Sequence, residues 1–315
     1  MNKDFEKRMF AAIVDNSALN QVNPTEFYAK ALLDNESIKM FRQFPGVTDR
    51  IKLATTPFNN LLQAFDCDFS PTDVTLKAKT FEVTPLKFDV EFCQKTLLQS
   101  FIASYTSKIG AIDFLNTDGL QPEFQAHIMD ELNKILKDEY ARLFYQGDES
   151  LASTNFLSNM DGLVVKALDS ATTIKLQGTA IDSSNVIAQM ETIYNSIPVE
   201  ISDVKLLVST NVMRAYKLAT AKANTIAYTT GELANKLIDL DIIEIKALPN
   251  NTVLASRLDN VGAIYDIFNA DVRWISMKET TAERTIRIAG EFAMGCGIIV
   301  DEELVIYSPE YVPAS

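Results

Sequence analysis

The feature that most constrains this chain is a long stretch of alternating apolar and polar residues between residues 74 and 92. Apolar residues occupy every second position, but their phase shifts before Phe81 and again after Pro85. Alternation with period two predicts strands with one polar face, and the phase shifts predict bulges or a bend. Because polar turn residues fill 66–73, the sequence predicts a two-stranded arm from about residue 50 to residue 92. A lone hairpin is only marginally stable, so we expect this arm to need a partner surface.

A second pattern is helical and covers residues 117–146. Apolar residues recur at three- and four-residue spacing from Phe124 to Phe144, Pro122 lies in the first turn, and Gly147-Asp148 ends the pattern. Roughly 25 residues at about 1.5 Å each form a rod of about 37 Å. His127 lies beside the apolar stripe, and we interpret it as a partly buried helix residue rather than a catalyst.

Three further regions complete the chain. Residues 1–45 predict helices, the main one starting at Pro24-Thr25-Glu26, with little strand signal. Residues 150–250 alternate helix and strand, with a helix capped by Ser183-Ser184, as in a compact α/β unit. Strands are predicted in this region and after it, at 204–208, 242–245, 252–255, 261–268, 272–277, 285–292 and 297–307.

Composition excludes several classes of function. The chain has 315 residues, a single His, three Cys, and a formal net charge of −13. One His cannot form a two-His metal site, and a Ser-His-Asp device would need His127 itself. The three cysteines are widely spaced, which predicts neither a disulfide framework nor a metal site and indicates a reducing cytosol. There is no secretory signal at the start and no apolar run near the roughly 20 residues of a membrane helix.

The negative charge is unevenly distributed. Residues 1–52 carry eight basic and seven acidic side chains, a net charge of +1, whereas residues 53–315 carry a net charge of −14. An acidic surface opposes sequence-independent binding of nucleic acid. Two interpretations of the near-neutral segment stay open: chance, or a segment that lies against neighbouring molecules.

The motifs that resemble functional sites have structural interpretations. Gly290, Gly295 and Gly297 superficially resemble a nucleotide loop, but no Lys-Ser/Thr follows them and the next element is a strand. We interpret these glycines as places of close backbone approach in a sheet. The carboxylates of Asp301-Glu302-Glu303 and Asp239 to Glu244 are interpreted as solvated, since such clusters are expected by chance among 42 acids. We therefore predict no catalytic, cofactor-binding or metal-binding residues.

The order of these elements resembles that of the major capsid proteins of tailed bacteriophages, the Hong Kong-ninety-seven-type capsid fold, which encapsulins also have. Phe144-Tyr145-Gln146-Gly147-Asp148 is similar to the family's exit from its long spine helix, and Asn159-Met160-Asp161-Gly162-Leu163 to the segment that often follows. The closing segment 297–307 is similar to the last strands of the family. The resemblance implies an α+β fold with these parts: an N-arm at 1–45, an extended β E-loop at 46–92, a P-domain at 93–150 with a spine helix at 117–146, an α/β A-domain at 151–250, and P-domain return strands with the C-terminal strand at 251–315.

The resemblance implies a shell subunit of the virion, made in the host cytoplasm, that assembles as hexamers and pentamers around double-stranded DNA and catalyses no reaction. The implied partners are further copies of the chain, a portal protein, a scaffolding or decoration protein where one exists, and weakly held, non-specific DNA. Neither a cofactor nor a membrane is implied. The expected contacts between subunits are Phe27, Phe41, Arg42, Lys77, Lys79, Phe81 and Val83.

Some members of the family cross-link through a lysine in the E-loop. Lys77 and Lys79 lie in that region, but no partner Asn or catalytic acid is evident, so the cross-link is not predicted. Two alternatives to a phage shell stay open. One is the shell of an encapsulin-type cellular compartment. The other is a cytosolic enzyme with a small-molecule site at the strand C-termini of the α/β region 150–250.

Overall fold

The computed structural model describes seven stretches of the chain, which fall into two compact units. The described residues are 27–28, 34–55, 77–93, 122–222, 235–266, 274–280 and 285–309. The first unit consists of Met1–Asn35, Pro85–Tyr140 and Asp266–Ala293. The second unit consists of Glu36–Thr84, Ala141–Tyr265 and Met294–Ser315.

The described part of the chain is mixed helix and strand. The strands are β1 (Arg42–Pro45), β2 (Arg50–Thr55), β3 (Lys77–Glu82), β4 (Thr84–Cys93), β5 (Ile174–Gln177), β6 (Lys205–Ser209), β7 (Lys236–Leu237), β8 (Leu240–Ile245), β9 (Val253–Ser256), β10 (Val261–Asp266), β11 (Trp274–Thr280), β12 (Thr285–Ile298) and β13 (Val305–Ser308). The helices are α1 (Pro122–Gln146), α2 (Leu163–Asp169), α3 (Val186–Ser196) and α4 (Thr210–Lys222). Short 3-10 turns lie at Phe156–Asn159, Leu258–Asn260 and Asp301–Glu303.

Helix α1 is the long helix that the apolar spacing predicts. Its buried side chains, which include Leu132, Leu136 and Tyr140, follow one another at four-residue spacing, as expected for one face of a helix. On the solvent side, the Lys134 ammonium lies 2.6 Å from the Glu131 carboxylate. The predicted start at 117–121 and the side chain of His127 lie outside the described part of the chain.

The chain leaves α1 through a loop that two glycines close. The Gly147 amide donates to the Leu143 carbonyl (3.0 Å), and the Gly162 amide donates to the Gly147 carbonyl (2.8 Å). A β-carbon at either glycine would lie within 3.0 Å of backbone atoms, which leaves room only for hydrogen. The two segments that carry the family resemblance, at 147–148 and 162–163, therefore form one backbone junction between α1 and α2.

A six-stranded mixed sheet forms the core of the second unit, in the order β5-β13-β9-β6-β8-β7. Strands β6 and β8 are parallel, as are β13 and β5, whereas β9 is antiparallel to both β6 and β13. Residues of α3 and α4, including Met190, Ile193 and Tyr216, belong to the same buried cluster as the sheet. Burial of this apolar surface is the main stabilising contribution. Strands β9 and β13 come from the segment 251–315, so that segment and 151–250 share one sheet.

The remaining strands pair as follows. Strands β2 and β3 form a separate antiparallel two-stranded sheet, with the register Arg50↔Glu82 to Thr55↔Lys77. The predicted arm extends to residue 92, whereas this hairpin ends at Glu82. Strand β4 follows β3 after the single residue Val83 and pairs with β12, as does β11. In the second unit, β1 runs parallel to β10, with Arg42 opposite Gly262.

Three sequence predictions are wrong in detail. Residues 42–45 are a strand rather than part of a helix, because pairing with β10 overrides their weak local preference. Helix α3 is not capped by Ser183-Ser184. Instead, the Asp182 carboxylate accepts from the amides of Ser184 (2.7 Å) and Asn185 (3.2 Å), and the bonds from Ser184 lower the pKa of that carboxyl group. The sequence predicts two strands at 285–292 and 297–307, whereas residues 285–298 form one continuous strand. The glycines within this strand permit close packing.

We predict that Gly162→Ala lowers the free energy of unfolding by about 2–3 kcal/mol, because the new methyl group must displace backbone rather than a flexible side chain. Urea unfolding measures the change. The control is Ser153→Ala at an exposed position of the same loop, which we expect to change stability by less than about 0.5 kcal/mol. Equal stability of Gly162→Ala and the parent would contradict the junction described above.

Candidate assembly surfaces

The base of the β2–β3 hairpin is fixed to strand β12 of the same unit. A β-carbon at Gly297 would collide with the ring of Phe81, and one at Gly295 would collide with the Glu82 carbonyl. Phe81 and Val83 are accordingly 4% and 8% exposed. The Val83 amide also donates to the Asp49 carbonyl at 2.9 Å and so closes the base of the hairpin. These contacts confirm that the glycines of this motif allow close backbone approach.

An ion pair adds a directional contact at the same hairpin. The Lys79 ammonium lies 2.5 Å from the Asp301 carboxylate, and the two side chains are 38% and 19% exposed. Two residues further along the same 3-10 turn, the Glu303 carboxylate lies 2.6 Å from the Arg257 guanidinium. The interpretation of Asp301 to Glu303 as merely solvated is therefore wrong, since two of these carboxylates are paired and partly buried.

Lys77 lies at the opposite end of the described hairpin from this base. Its backbone is opposite Thr55, which is the last pair of the β2–β3 ladder. The side chain of Lys77 lies outside the described part of the chain. The structure therefore separates Lys79, near the ion pair with Asp301, from Lys77, at the end of the ladder.

Phe41 and Arg42 precede and begin strand β1. The Phe41 ring stacks on Phe144 with centroids 5.8 Å apart, and Phe41 is 4% exposed. The Tyr145 hydroxyl donates to the Ser37 carbonyl at 2.6 Å, which fixes the chain just before them. Arg42 is exposed, and its guanidinium lies 5.1 Å above the centre of the Phe44 ring. This position leaves the charge of Arg42 accessible.

Phe27 belongs to the first unit, where it is buried in an aromatic cluster. Its ring makes an edge contact with Tyr28 at 5.3 Å and a tilted contact with Phe88 at 6.4 Å. A β-carbon at Gly290 would collide with Phe88 and the Tyr28 hydroxyl, so this glycine too permits close packing. The predicted helix start at residues 24–26 lies outside the described residues.

The structure thus divides the seven predicted contact residues. Phe27, Phe41, Phe81 and Val83 are buried within their own chain. Lys79 is half-exposed and ion-paired, and Arg42 is exposed. The seventh residue, Lys77, lies at the end of the β2–β3 ladder, and its side chain is outside the described part of the chain. Sequence analysis missed the pairing of Lys79 with Asp301, because these residues are 222 positions apart in the sequence and no periodic signal links them.

The second unit has an open cleft of about 380 Å³, which bears on the enzyme hypothesis. Its lining includes Ile201, Ser202 and Arg257, and the first two of these precede β6. The cleft therefore lies at the amino end of β6, whereas ligands of open α/β sheets bind at the carboxyl ends of strands. At the carboxyl end of β6, the polar side chains bond to each other. The side-chain amide of Asn211 donates to the side-chain oxygen of Asn251 at 2.7 Å, and the backbone amide of Ile181 donates to the same oxygen.

The described residues also limit metal and thiol chemistry. Within the described ranges, no group of three or more His, Cys, Asp and Glu side chains is placed to hold a metal ion. Cys296 is fully buried, and this burial raises the pKa of its thiol, which disfavours the reactive thiolate. The described helices include none with the length and apolarity that a membrane span requires.

Comparison with solved structures identifies the fold. The chain is similar to a protein of the satellite phage P4 procapsid that includes the size determination (Sid) protein, with a TM-score of 0.61, 13% identity, and coverage of 90% of this chain and 99% of that chain. It is also similar to the capsid of the native GTA particle, with a TM-score of 0.56, 9% identity, and coverage of 88% and 89%. A virus-like particle from Pyrococcus furiosus gives a TM-score of 0.50, 11% identity, and coverage of 90% and 96%.

These likenesses confirm the α+β fold that the sequence predicts, the phage capsid fold of the Hong Kong-ninety-seven type. The coverage extends over nearly the whole of this chain and of the capsid chains it resembles. No protein-family model matches the sequence, and no curated protein matches it. At 9–13% identity, the comparisons establish the fold, and function has to be argued from the surfaces.

We predict that Lys79→Gln lowers the free energy of unfolding by about 0.5–1 kcal/mol and speeds amide hydrogen exchange in β3, because a partly exposed ion pair contributes modestly. Asp301→Asn should have a similar effect, and the double variant should lose less than the sum of the two. Lys52→Gln on the neighbouring strand is the control with the same change of charge. Additive losses in the double variant would show that Lys79 and Asp301 do not interact.

Proposed function

We propose that this chain is the major capsid protein of a tailed double-stranded DNA phage and assembles as hexamers and pentamers into the virion shell. The observation that carries the proposal is the likeness to a phage procapsid protein over 90% of this chain and 99% of that one. The family resemblance of the Gly147 and Gly162 segments, now seen to form one junction, supports it independently. The protein's task in this proposal is to form contacts between copies, with no bond made or broken.

In this proposal the seven predicted contact residues have two tasks. Arg42 and Lys77 meet neighbouring subunits, because Arg42 is exposed and Lys77 lies away from the hairpin base. The others make contacts within their own chain, as Phe41 does with Phe144 and Phe81 does with Gly297. A shell built from repeated contacts of this kind closes when each contact fixes a rotation between copies.

The charge of the chain supports a container rather than a DNA-binding protein. Residues 53–315 have a net charge of −14, so the body as a whole is repelled by phosphate. Weak, non-specific contact lets DNA slide during packaging, whereas tight binding would hold it. Portal, scaffolding and decoration proteins are the further partners that this proposal implies, with synthesis in the host cytoplasm.

The shell of an encapsulin-type compartment is the second candidate, because the same fold would serve it. The likeness to a virus-like particle from Pyrococcus furiosus supports this second candidate. The content of the particles separates the two: DNA with portal and packaging proteins supports a phage, and a co-purified cargo enzyme supports a compartment. The cytosolic enzyme is disfavoured, since the cleft lies at the wrong end of β6.

Expression and purification test the proposal directly. We expect rings or closed shells in negative-stain electron micrographs and a fast-sedimenting species at high protein concentration. A monodisperse monomer at all concentrations would overturn the proposal.

We predict that Arg42→Glu weakens assembly at least about tenfold in the concentration required. The loss of its contact with Phe44 should lower the free energy of unfolding by no more than about 1 kcal/mol. Sedimentation measures assembly, and thermal unfolding of dissociated subunits measures stability. Lys246→Glu, an equal change of charge at another exposed position, is the control. If Arg42→Glu assembles like the control, Arg42 has no role between subunits.

A further inference from the structure

The turn between β7 and β8 has an unusual residue at its tip. Leu237 pairs with Leu240, so Ile238 and Asp239 form a two-residue hairpin loop. Ile238 has a φ of 57°, in the left-handed region. Two-residue hairpins place Gly, Asn or Asp at such positions, and a β-branched side chain there is strained. The structure therefore holds Ile238 in a conformation that its side chain disfavours.

The strain is not offset by burial within the chain. Ile238 is 59% exposed, although it is a large aliphatic residue. Burial in a core is the usual reason for keeping an isoleucine, and solvent contact at this tip removes that benefit. The preceding residue, Leu237, is 6% exposed, so the hairpin itself is attached to the core while its tip is not.

Side-chain contacts hold the hairpin so that Ile238 cannot relax. The Tyr216 hydroxyl donates to the Lys236 carbonyl at 2.6 Å, and the Lys205 ammonium lies 2.5 Å from the Asp241 carboxylate. The Asp239 carboxylate beside Tyr194 raises the pKa of that hydroxyl through hydrogen bonding and charge. Strained residues persist where their surroundings fix them in this way, and such sites are commonly functional.

The charges at the tip select the kind of partner. The ammonium groups of Lys205 and Lys236 lie 2.5 Å and 3.7 Å from the Asp241 carboxylate. With Asp239 included, the formal charges of these four side chains sum to zero. The whole chain carries −13, so two copies repel each other over most of their surfaces. A charge-balanced, apolar tip is a place where a second acidic copy can approach without this repulsion. A basic partner would be attracted to other parts of the surface instead.

We propose that the β7–β8 hairpin is an interaction surface for a second copy of this chain, with the exposed Ile238 side chain packing against that copy. The inference rests on the proposed function, since it names one contact of a self-assembling subunit. It implies that Ile238 destabilises the isolated subunit and stabilises the assembly. Opposite effects of one residue on these two quantities distinguish the proposal from a purely structural role.

The test compares Ile238→Asn with the parent. Asn adopts the left-handed conformation readily, so we expect the melting temperature of the dissociated subunit to rise by about 2 °C. Assembly, followed by sedimentation and negative-stain microscopy, should require at least about tenfold more protein. Leu218→Asn is the matched control, because Leu218 is an aliphatic residue 51% exposed on helix α4 of the same unit.

The outcomes separate the two proposals. Assembly of Ile238→Asn at the parent's concentration, or an equal loss in Leu218→Asn, overturns the role of the tip and leaves the shell function standing. A parent chain that never assembles overturns both. A photoreactive amino acid at position 238 gives a second measurement that does not depend on stability: cross-linked dimers in assembled particles support the contact, and their absence, with position 218 as reference, overturns it.

Discussion

The close approach of the β2–β3 hairpin to strand β12 at Gly295 and Gly297 is the contact on which the attachment of the arm depends. A side chain at either position would push away the Phe81 ring or the Glu82 backbone. The apolar burial that makes a two-stranded sheet stable would then be lost. The ion pair of Lys79 with Asp301 depends on this approach in turn, because its 2.5 Å geometry exists only when β3 lies against the body of its unit. Van der Waals contact with Gly295 and Gly297 positions the hairpin, and the ion pair of Lys79 with Asp301 adds a directional contact.

These contacts show which surface stabilises the base of the β2–β3 hairpin. The alternation of residues 74–92 shows that the arm needs a partner surface, and it does not show which molecule supplies that surface. For the base of the hairpin, the partner is the chain's own β12, since Phe81 and Val83 are buried there. Contacts between copies are therefore best sought at the end of the ladder near Lys77 and at exposed groups such as Arg42. Because its base is buried on β12, the hairpin is attached within a single chain.

Local hydrophobic patterns predicted the elements whose burial they report directly. The buried residues of helix α1 follow the helical period, and the continuous apolar run of strand β6 is buried on both faces. The parts that were missed depend on residues distant in the sequence. Strand β1 forms through pairing with β10, more than 200 residues away, and the Ile238-Asp239 turn has none of the usual turn residues at its first position. The glycine motif of β12 was understood as close approach, although its partners, Phe81 and the Glu82 backbone, could not be derived from spacing.

The proposed assembly places opposing electrostatic demands on the chain. In the proposed shell, a net charge of −14 on residues 53–315 opposes contact between copies. Charge-balanced places are therefore the sites where apolar contact can outweigh repulsion. The β7–β8 tip satisfies this condition, because Asp241 is neutralised by Lys205 and Lys236 within the same chain. Since these pairs form within one chain, their charges are already balanced before a neighbour arrives, and a partner gains mainly by covering the exposed Ile238 side chain.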